Sequence, residues 1–510
     1  MHINRPRPAR GASFKANAEG WLSSVARKTG LQPKKKLTRR SSSQNFTLRY
    51  IPPEVWGVVI EHACLQHHDP LDTSHELSFL EESSTQLTTY RAAMRDKVTL
   101  SLVSKQWHAY ARDFLYEFIW ISSAAQAKSL AHTLLMQSLV VQPQSSSMPT
   151  LGSFIRRLHI ETPVLERCAP ADLRSILDNA PGLSIYSDRH SVQRSLYCDG
   201  PDPRCSSEEI LRLVANSKIR RLSWTSYGDA PFQQRMTPLL TNIAVQLEYL
   251  ELSSCSPNFR TVFPQTQGLN LDETRMDVCL PSLRALKVSL DNNTFAVLAS
   301  WDMPQLTNLS VLSSDFSYTG PGFASFFQAH GTKLTQLELG HSSSLVEEHY
   351  LTAPHHSHPS TPVPLAEWCP NLREFICSAD AEWHWQSPDW IAAHILLPAH
   401  PRIELIGIRD IDARLRDDPF IPSGEPYFTL YEQLCSLLQT DAFPALRFVR
   451  DMSKESHAMR SYSPQPRVSQ FWHRVVNRCK EREVWLEDCT GVNVTARSLL
   501  RAAHLHTPTY

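Results

Sequence analysis

From residue 151 to about residue 490 one six-residue spacing keeps returning: hydrophobic, two variable residues, hydrophobic, one variable residue, hydrophobic. Clear copies are Ile155-Leu158-Ile160, Ile219-Leu222-Trp224, Leu247-Leu250-Leu252, Leu283-Leu286-Val288, Leu306-Leu309-Val311, Leu334-Leu337-Leu339, Leu372-Phe375-Cys377 and Ile403-Ile406-Ile408, with weaker ones starting at Leu183 and Leu446. Successive starts lie between 23 residues (Leu283 to Leu306) and 43 residues (Ile403 to Leu446) apart, an uneven interval centred where one strand plus one helix would fall. Pro281, Pro304, Pro370 and Pro444 each stand two residues before a copy, which favours an extended approach to a strand. Helix-like runs lie between copies: SSEEILRLVANS from 206, TFAVLAS from 294, FASFFQAH from 323 and LYEQLCSLL from 430. Strands alternating with helices predict an α/β solenoid, in which each repeat buries its apolar positions against its own helix and its neighbours.

Residues 48–121 carry a different, helical pattern in two halves. In the first, Pro52 and Pro53 open a helix where a missing N–H costs nothing, Glu54 sits at its positive end, and Val55, Trp56, Val59, Ile60 and Ala63 share a face. In the second, which runs to residue 121, Leu100, Val103, Trp107, Tyr110 and Phe114 recur at alternate steps of three and four and predict one apolar stripe. The mostly polar residues from about 65 to 97 read as a surface loop between the halves. Residues 122–150 read as a helix and a linker, QPQSSSMPT; Val484-Trp485-Leu486 reads as a last strand, and 491–510 as a terminal helix and tail.

Length and charge narrow the reading further. A chain of 510 residues, 42% hydrophobic, can bury more than one small module. Lys+Arg and Asp+Glu both total 51, so net charge gives no reason to expect nucleic acid or a membrane surface as the main partner. Residues 1–47 are the exception: a basic tail with Glu19 as its one acid, in which Lys34-Lys35-Lys36 and Arg39-Arg40 could be read by a nuclear import receptor, and Arg39-Arg40-Ser41-Ser42 resembles a basic-directed kinase site. No apolar run is long enough to span a bilayer, and the first thirty residues lack a secretory apolar block, so the expected location is cytoplasm, nucleus or both. The 11 cysteines form no C-x-x-C pair, and Cys64, Cys255, Cys377 and Cys435 sit among apolar neighbours as buried free thiols do.

Enzyme chemistry is not expected. G-x-S-x-G, G-x-x-x-x-G-K-[ST], G-x-G-x-x-G and H-E-x-x-H are all missing, and no cofactor is implied. His355, His356 and His358 have no matched acid or thiol to complete a metal site, and the group Trp383, His384, Trp385 and Trp390 reads as local core beside a repeat.

The first helical region resembles the F-box, through Ile51, Pro53, Glu54, Val55, Ile60, Leu100, Leu102, Val103, Ser104, Lys105 and Trp107 in order. The copies that follow resemble the leucine-rich repeat, with Leu247-Glu-Tyr-Leu-Glu-Leu-Ser-Ser-Cys255 fitting its motif throughout. Together they resemble the F-box/leucine-rich-repeat proteins of fungi. That resemblance implies a helical module followed by an irregular horseshoe, and a substrate-recognition subunit of a cullin-RING ubiquitin ligase. In it Ile51, Pro53, Glu54, Val55, Ile60, Leu100, Leu102, Val103 and Trp107 would bind the adaptor protein, with Trp107 buried between the two halves. Outward residues of the repeats, Arg284, Lys287, Thr307, Ser310, Thr335, Glu338 and Arg373, would face a protein substrate that the sequence does not identify. A scaffold that holds a partner without ubiquitin transfer is the alternative.

Overall fold

The computed structural model describes residues 52–65, 83–140, 149–163, 166, 168–189, 207–215, 218–226, 240, 243–254, 278–289, 298–313, 321–341, 365–379, 397, 399–417, 427–461 and 465–504. Two compact units divide at Val55 and Trp56. Only Pro52 to Val55 of the first are described, and all four are exposed.

Among the described residues the second unit is built on one sheet of twelve parallel strands in strict sequence order. These are β1 (Phe118–Ile121), β2 (Arg157–Glu161), β3 (Ile185–Arg189), β4 (Arg221–Ser226), β5 (Tyr249–Ser254), β6 (Ala285–Ser289), β7 (Asn308–Ser313), β8 (Gln336–His341), β9 (Glu374–Ser378), β10 (Leu405–Arg409), β11 (Phe448–Asp451) and β12 (Trp485–Glu487). Each of β2 to β11 begins two residues after the first apolar position of a sequence repeat, so the uneven spacing along the chain becomes an even ladder in space.

β1 corrects the sequence reading. Phe118-Ile119-Trp120-Ile121 was expected to continue a helix, but four aromatic and β-branched residues in succession favour a pleated surface over a helix. The repeat array therefore starts before the 142–150 linker, directly on the helical module, with Phe118 to Ile121 opposite Arg157 to Ile160.

Parallel pairing without slippage puts equivalent residues in rows across the sheet. Leu158, Tyr186, Leu222, Leu250, Leu286, Leu309, Leu337, Phe375, Ile406, Val449 and Leu486 form the central inward row, none of them more than 3% exposed. They share one core with residues of α5 (Pro170–Asp178), α6 (Ser207–Ala215), α7 (Pro321–His330), α8 (Leu365–Trp368), α9 (Ile411–Asp417), α10 (Phe428–Leu437) and α12 (Pro466–Glu481), so these helices cover that face. Full burial of such side chains contributes about 1.5–3 kcal/mol each.

Register is held by a device repeated from strand to strand. The carbonyl of the residue just before one strand accepts the N–H groups of two consecutive residues of the next repeat: Ser184 and Ile185 donate to Arg156 O at 2.8 and 3.0 Å, and Thr335 and Gln336 to Thr307 O at 2.8 and 3.1 Å. Ser184, Arg220, Glu248, Arg284, Thr335, Arg373 and Glu404 receive the same pair. At the far end the chain turns back on β12. Gly491, at φ +78° where a side chain would be strained, closes a turn on Asp488, and Val494 N then donates to Leu486 O at 2.7 Å, covering the free strand edge. α13 (Ala496–His504) follows.

Two carboxylates interrupt the second inward row. Asp188 accepts from Tyr186 Oη at 3.0 Å. Asp451 accepts from Ser453 N at 3.0 Å, from Ser456 Oγ at 2.7 Å and from Arg460, which also lies 4.3 Å over the Trp472 ring. Ser456 and Arg460 lie on α11 (Lys454–Ser461).

The buried His330 contributes to a pH-dependent stability. His330 is 3% exposed; burial, and then the Lys333 charge, lower its pKa to about 4. Lys333 Nζ can only donate, so Nδ1 of His330, 2.9 Å away, is the acceptor and the ring is neutral. A histidine whose folded-state pKa lies below its unfolded value binds its proton more readily when unfolded, so stability falls as pH drops from about 6.5 towards 4. We expect His330→Asn, which keeps an acceptor near Nδ1, to flatten the slope of urea midpoint against pH in that window relative to the parent; an unchanged slope would refute the assignment. Among the described residues no helix is long and apolar enough to cross a membrane.

Candidate interaction surfaces

The helical module comprises α1 (Pro53–Leu65), α2 (Ser83–Ser101) and α3 (Lys105–Glu117), followed, after β1, by α4 (Ala124–Val140). α2 revises the reading of residues 65–97 as a loop: the region's later part is helical. Leu87, Tyr90, Ala93, Met94 and Lys97 recur at helical spacing among good helix formers. Lys97 is buried, and its ammonium donates to Phe114 O at 3.1 Å near the end of α3, where backbone carbonyls lack helical partners. Tyr90 meets Phe118 and Trp120 of β1 at ring distances of 4.9 and 5.9 Å. Ser104 caps α3, its side chain accepting from Trp107 N at 3.1 Å.

A small core forms here, separate from that of the sheet: Ile60, Cys64 and Ala111 are buried, and Leu100, Trp107, Tyr110 and Phe114 pack on them half-buried. Trp107 lies 5.3 Å from Trp56, partly enclosed rather than fully buried. Val103 leaves the expected stripe: it sits with Leu102 in the turn between α2 and α3, because the helix breaks there before the Ser104 cap. Leu102 is 79% and Val103 59% exposed, and Val58 and Val59 of α1 are about half exposed. Pro53, Glu54 and Val55 are exposed, while Ile51 lies outside the described residues.

On the sheet, the face turned away from the helices carries a row that crosses all twelve strands: Trp120, His159, Ser187, Ser223, Glu251, Lys287, Ser310, Glu338, Ile376, Gly407, Arg450 and Glu487. Lys287, Ser310 and Glu338 were expected to be exposed here, and all three are buried. Strands about 4.8 Å apart bring opposite charges of adjacent repeats together, and each shields the other. Lys287 meets Glu251 at 2.6 Å and Arg450 meets Glu487 at 2.5 Å on neighbouring strands, whereas Glu338 of β8 lies 3.7 Å from Arg409 of β10, two strands away.

Immediately ahead of the strands lies the row whose carbonyls clamp the next repeat. Arg284 and Arg373 are exposed here, and Thr307 and Thr335 partly so. The sequence reading missed Arg156, Arg220 and Arg447, exposed in the same row; the available signals were the string Pro444-Ala-Leu-Arg447, shared with Pro281 and Pro370, and the string Ile-Arg-Arg-Leu at Ile155 and Ile219. Arg220 pairs with Glu248 at 2.6 Å and Arg373 with Glu404 at 3.2 Å.

No family model matches the chain, and no curated protein matches it. Among solved structures it is similar to a chain from the crystal structure of the Rad7 and Elc1 complex in yeast, at 10% identity and a TM-score of 0.27, over 87% of this chain and 94% of the other. That likeness is too distant to carry fold or partner from one to the other.

No group of three or more His, Cys, Asp or Glu is placed to hold a metal among the described residues. Burial pushes the thiols of Cys168, Cys369, Cys377 and Cys479 up to about 12, which keeps them protonated and poorly nucleophilic. Cys255, His355, His356, His358, Trp383, His384, Trp385 and Trp390 lie outside the described residues.

Proposed function

We propose that this protein is the substrate-recognition subunit of a cullin-RING ubiquitin ligase, binding the adaptor through its helical module and a protein substrate through the repeat array. The observation that carries this reading is the exposure of Val58, Val59, Leu102 and Val103 on a small helical module that runs directly into a twelve-strand array. Apolar side chains held in water at a helix turn suit a protein partner. The motif resemblance supplies that partner's identity: the positions exposed here include Leu102 and Val103, two of the residues that carry the F-box resemblance. Such a receptor makes and breaks no bonds; it holds a substrate lysine near a ubiquitin-loaded enzyme at high effective concentration.

The exposed pair permits a test without unfolding. Leu102→Asp with Val103→Asp removes no buried contact, so stability should stay within about 0.5 kcal/mol of the parent. Co-purification of adaptor and cullin with the full chain should be lost. Retention by the double variant, or no adaptor with the parent chain, would sink the proposal. Trp107→Ala should also lose the adaptor, but through destabilisation of the small core by about 2 kcal/mol, less than the 3–5 of a fully buried tryptophan.

A further inference from the structure

The row ahead of the strands carries a charge excess that the chain as a whole lacks. Overall Lys+Arg and Asp+Glu are equal at 51 each. In the four residues preceding each strand from β2 to β11, however, eight side chains are basic and two, Glu248 and Glu404, are acidic. Five of the basic ones, Arg156, Arg220, Arg284, Arg373 and Arg447, occupy the position just before a strand, and all five are exposed. The backbone clamp fixes their spacing. Arg156, Arg220 and Arg284 stand before alternate strands, as do Arg373 and Arg447, so neighbours within each set are about 10 Å apart along the rim.

They are not equally engaged. Glu248 and Glu404 hold Arg220 and Arg373. Arg156, Arg284 and Arg447 have no carboxylate partner among the described residues; Arg156 reaches only Gly182 O at 3.4 Å, and Arg447 lies 5.6 Å over the Phe448 ring.

We propose that this rim binds an extended acidic segment of a protein partner, laid along the row of arginines. The proposal rests on the reading of the repeats as a protein-recognition surface and names the chemistry of what they recognise. An extended chain advances about 3.3 Å per residue, so a carboxylate at every third position meets arginines about 10 Å apart. The guanidinium fork matches a carboxylate in a bidentate way, which a point charge does not. A nucleic acid strand fits less well, because its unbroken phosphates would have to pass Glu248 and Glu404, whereas a peptide can leave those positions neutral. Each exposed pair is weak and screened by salt, so affinity comes from several acting together.

The test uses the full chain and fluorescence anisotropy with a labelled peptide of about fifteen residues, glutamate at every third position in a Gly/Ser background. The same peptide with glutamine, and an oligo-dT of equal length, are the comparisons. The glutamate peptide should bind at low salt and weaken steeply as salt rises, and the glutamine peptide should not bind. The triple variant Arg156→Glu, Arg284→Glu, Arg447→Glu should lose at least tenfold in affinity. Lys128→Glu, Lys480→Glu, Arg497→Glu, an equal charge change at exposed positions on helices, should lose less than twofold. Failure of the glutamate peptide to bind, equal loss in both triple variants, or tighter binding of oligo-dT would overturn the proposal. If melting shows the triple variant unfolded, the three single Arg→Gln variants carry the same comparison. Adaptor co-purification should be unchanged in the rim variants, which separates a failure here from a failure of the ligase reading.

Discussion

Asp451→Ala should destabilise the C-terminal end of the array by about 3–5 kcal/mol, a larger effect than any surface substitution in the chain. Asp451 is 1% exposed and Arg460 4%, so removing the carboxylate leaves a guanidinium buried without its counter-charge. Ser456 Oγ and Ser453 N lose the same acceptor, and each orphaned donor adds its own desolvation cost. Burial raises the Asp451 pKa from its ordinary value even though Arg460, Ser456 and Ser453 pull it down, so the site is expensive to charge and depends on all three partners. The array is a series of nearest-neighbour contacts, so the loss should stay local: hydrogen exchange should rise in α11, β11 and β12 and remain at parent levels around β4 and β5. Uniform loss of protection across the sheet would show that the array behaves as one cooperative unit instead.

Leu309→Ala tests the same logic from the middle. Leu309 lies in the central inward row of β7 with 0% exposure, flanked in register by Leu286 and Leu337. Truncation there costs about 2.7–5 kcal/mol through lost burial and the cavity left behind. A weakened rung in a linear array loosens the coupling between the segments on either side, so a single melting transition should broaden or split into two. Thr307→Ala, two residues earlier on the rim, should shift the midpoint by less than about 0.5 kcal/mol. A clean single transition for Leu309→Ala at the parent temperature would contradict the packing described.

The ten interior strands were legible in the sequence because inward positions of a covered parallel strand are mostly apolar whatever loop precedes them, and even the weakest copies kept the first two, Leu183 with Tyr186 and Leu446 with Val449, ahead of Asp188 and Asp451 at the third. β1 was not legible. Phe118 to Ile121 end the string read as the second helical half, and only pairing with Arg157 to Ile160 shows where the helix stops. α2 was hidden by its Ser/Thr-rich start, since Ser83, Ser84 and Thr85 suggest a loop until Lys97 finds a buried acceptor on α3. The sheet face exposes a deeper limit. Alternation places Lys287 and Glu338 away from the helices, but cannot tell whether water or a neighbouring rung will solvate them. Glu251, the partner of Lys287, is 36 residues away in sequence and one strand away in space. For the helical module, the string containing Leu102 and Val103 was readable; their exposure depends on a helix break that periodicity had smoothed over.

The carbonyl clamp has a consequence for how such a chain can change. Because each repeat is aligned by two hydrogen bonds at the strand entrance, the pitch of the ladder is independent of the length of chain between strands, which is why intervals of 23 and 43 residues sit in one register. Insertions there need only return the chain to the next clamp, at a closure cost that grows as the logarithm of length, roughly 0.6 kcal/mol per doubling. The connections after β8 and β9 are therefore natural sites for an engineered graft: a foreign peptide, or even a reporter domain, could be spliced in without renumbering the scaffold that carries it.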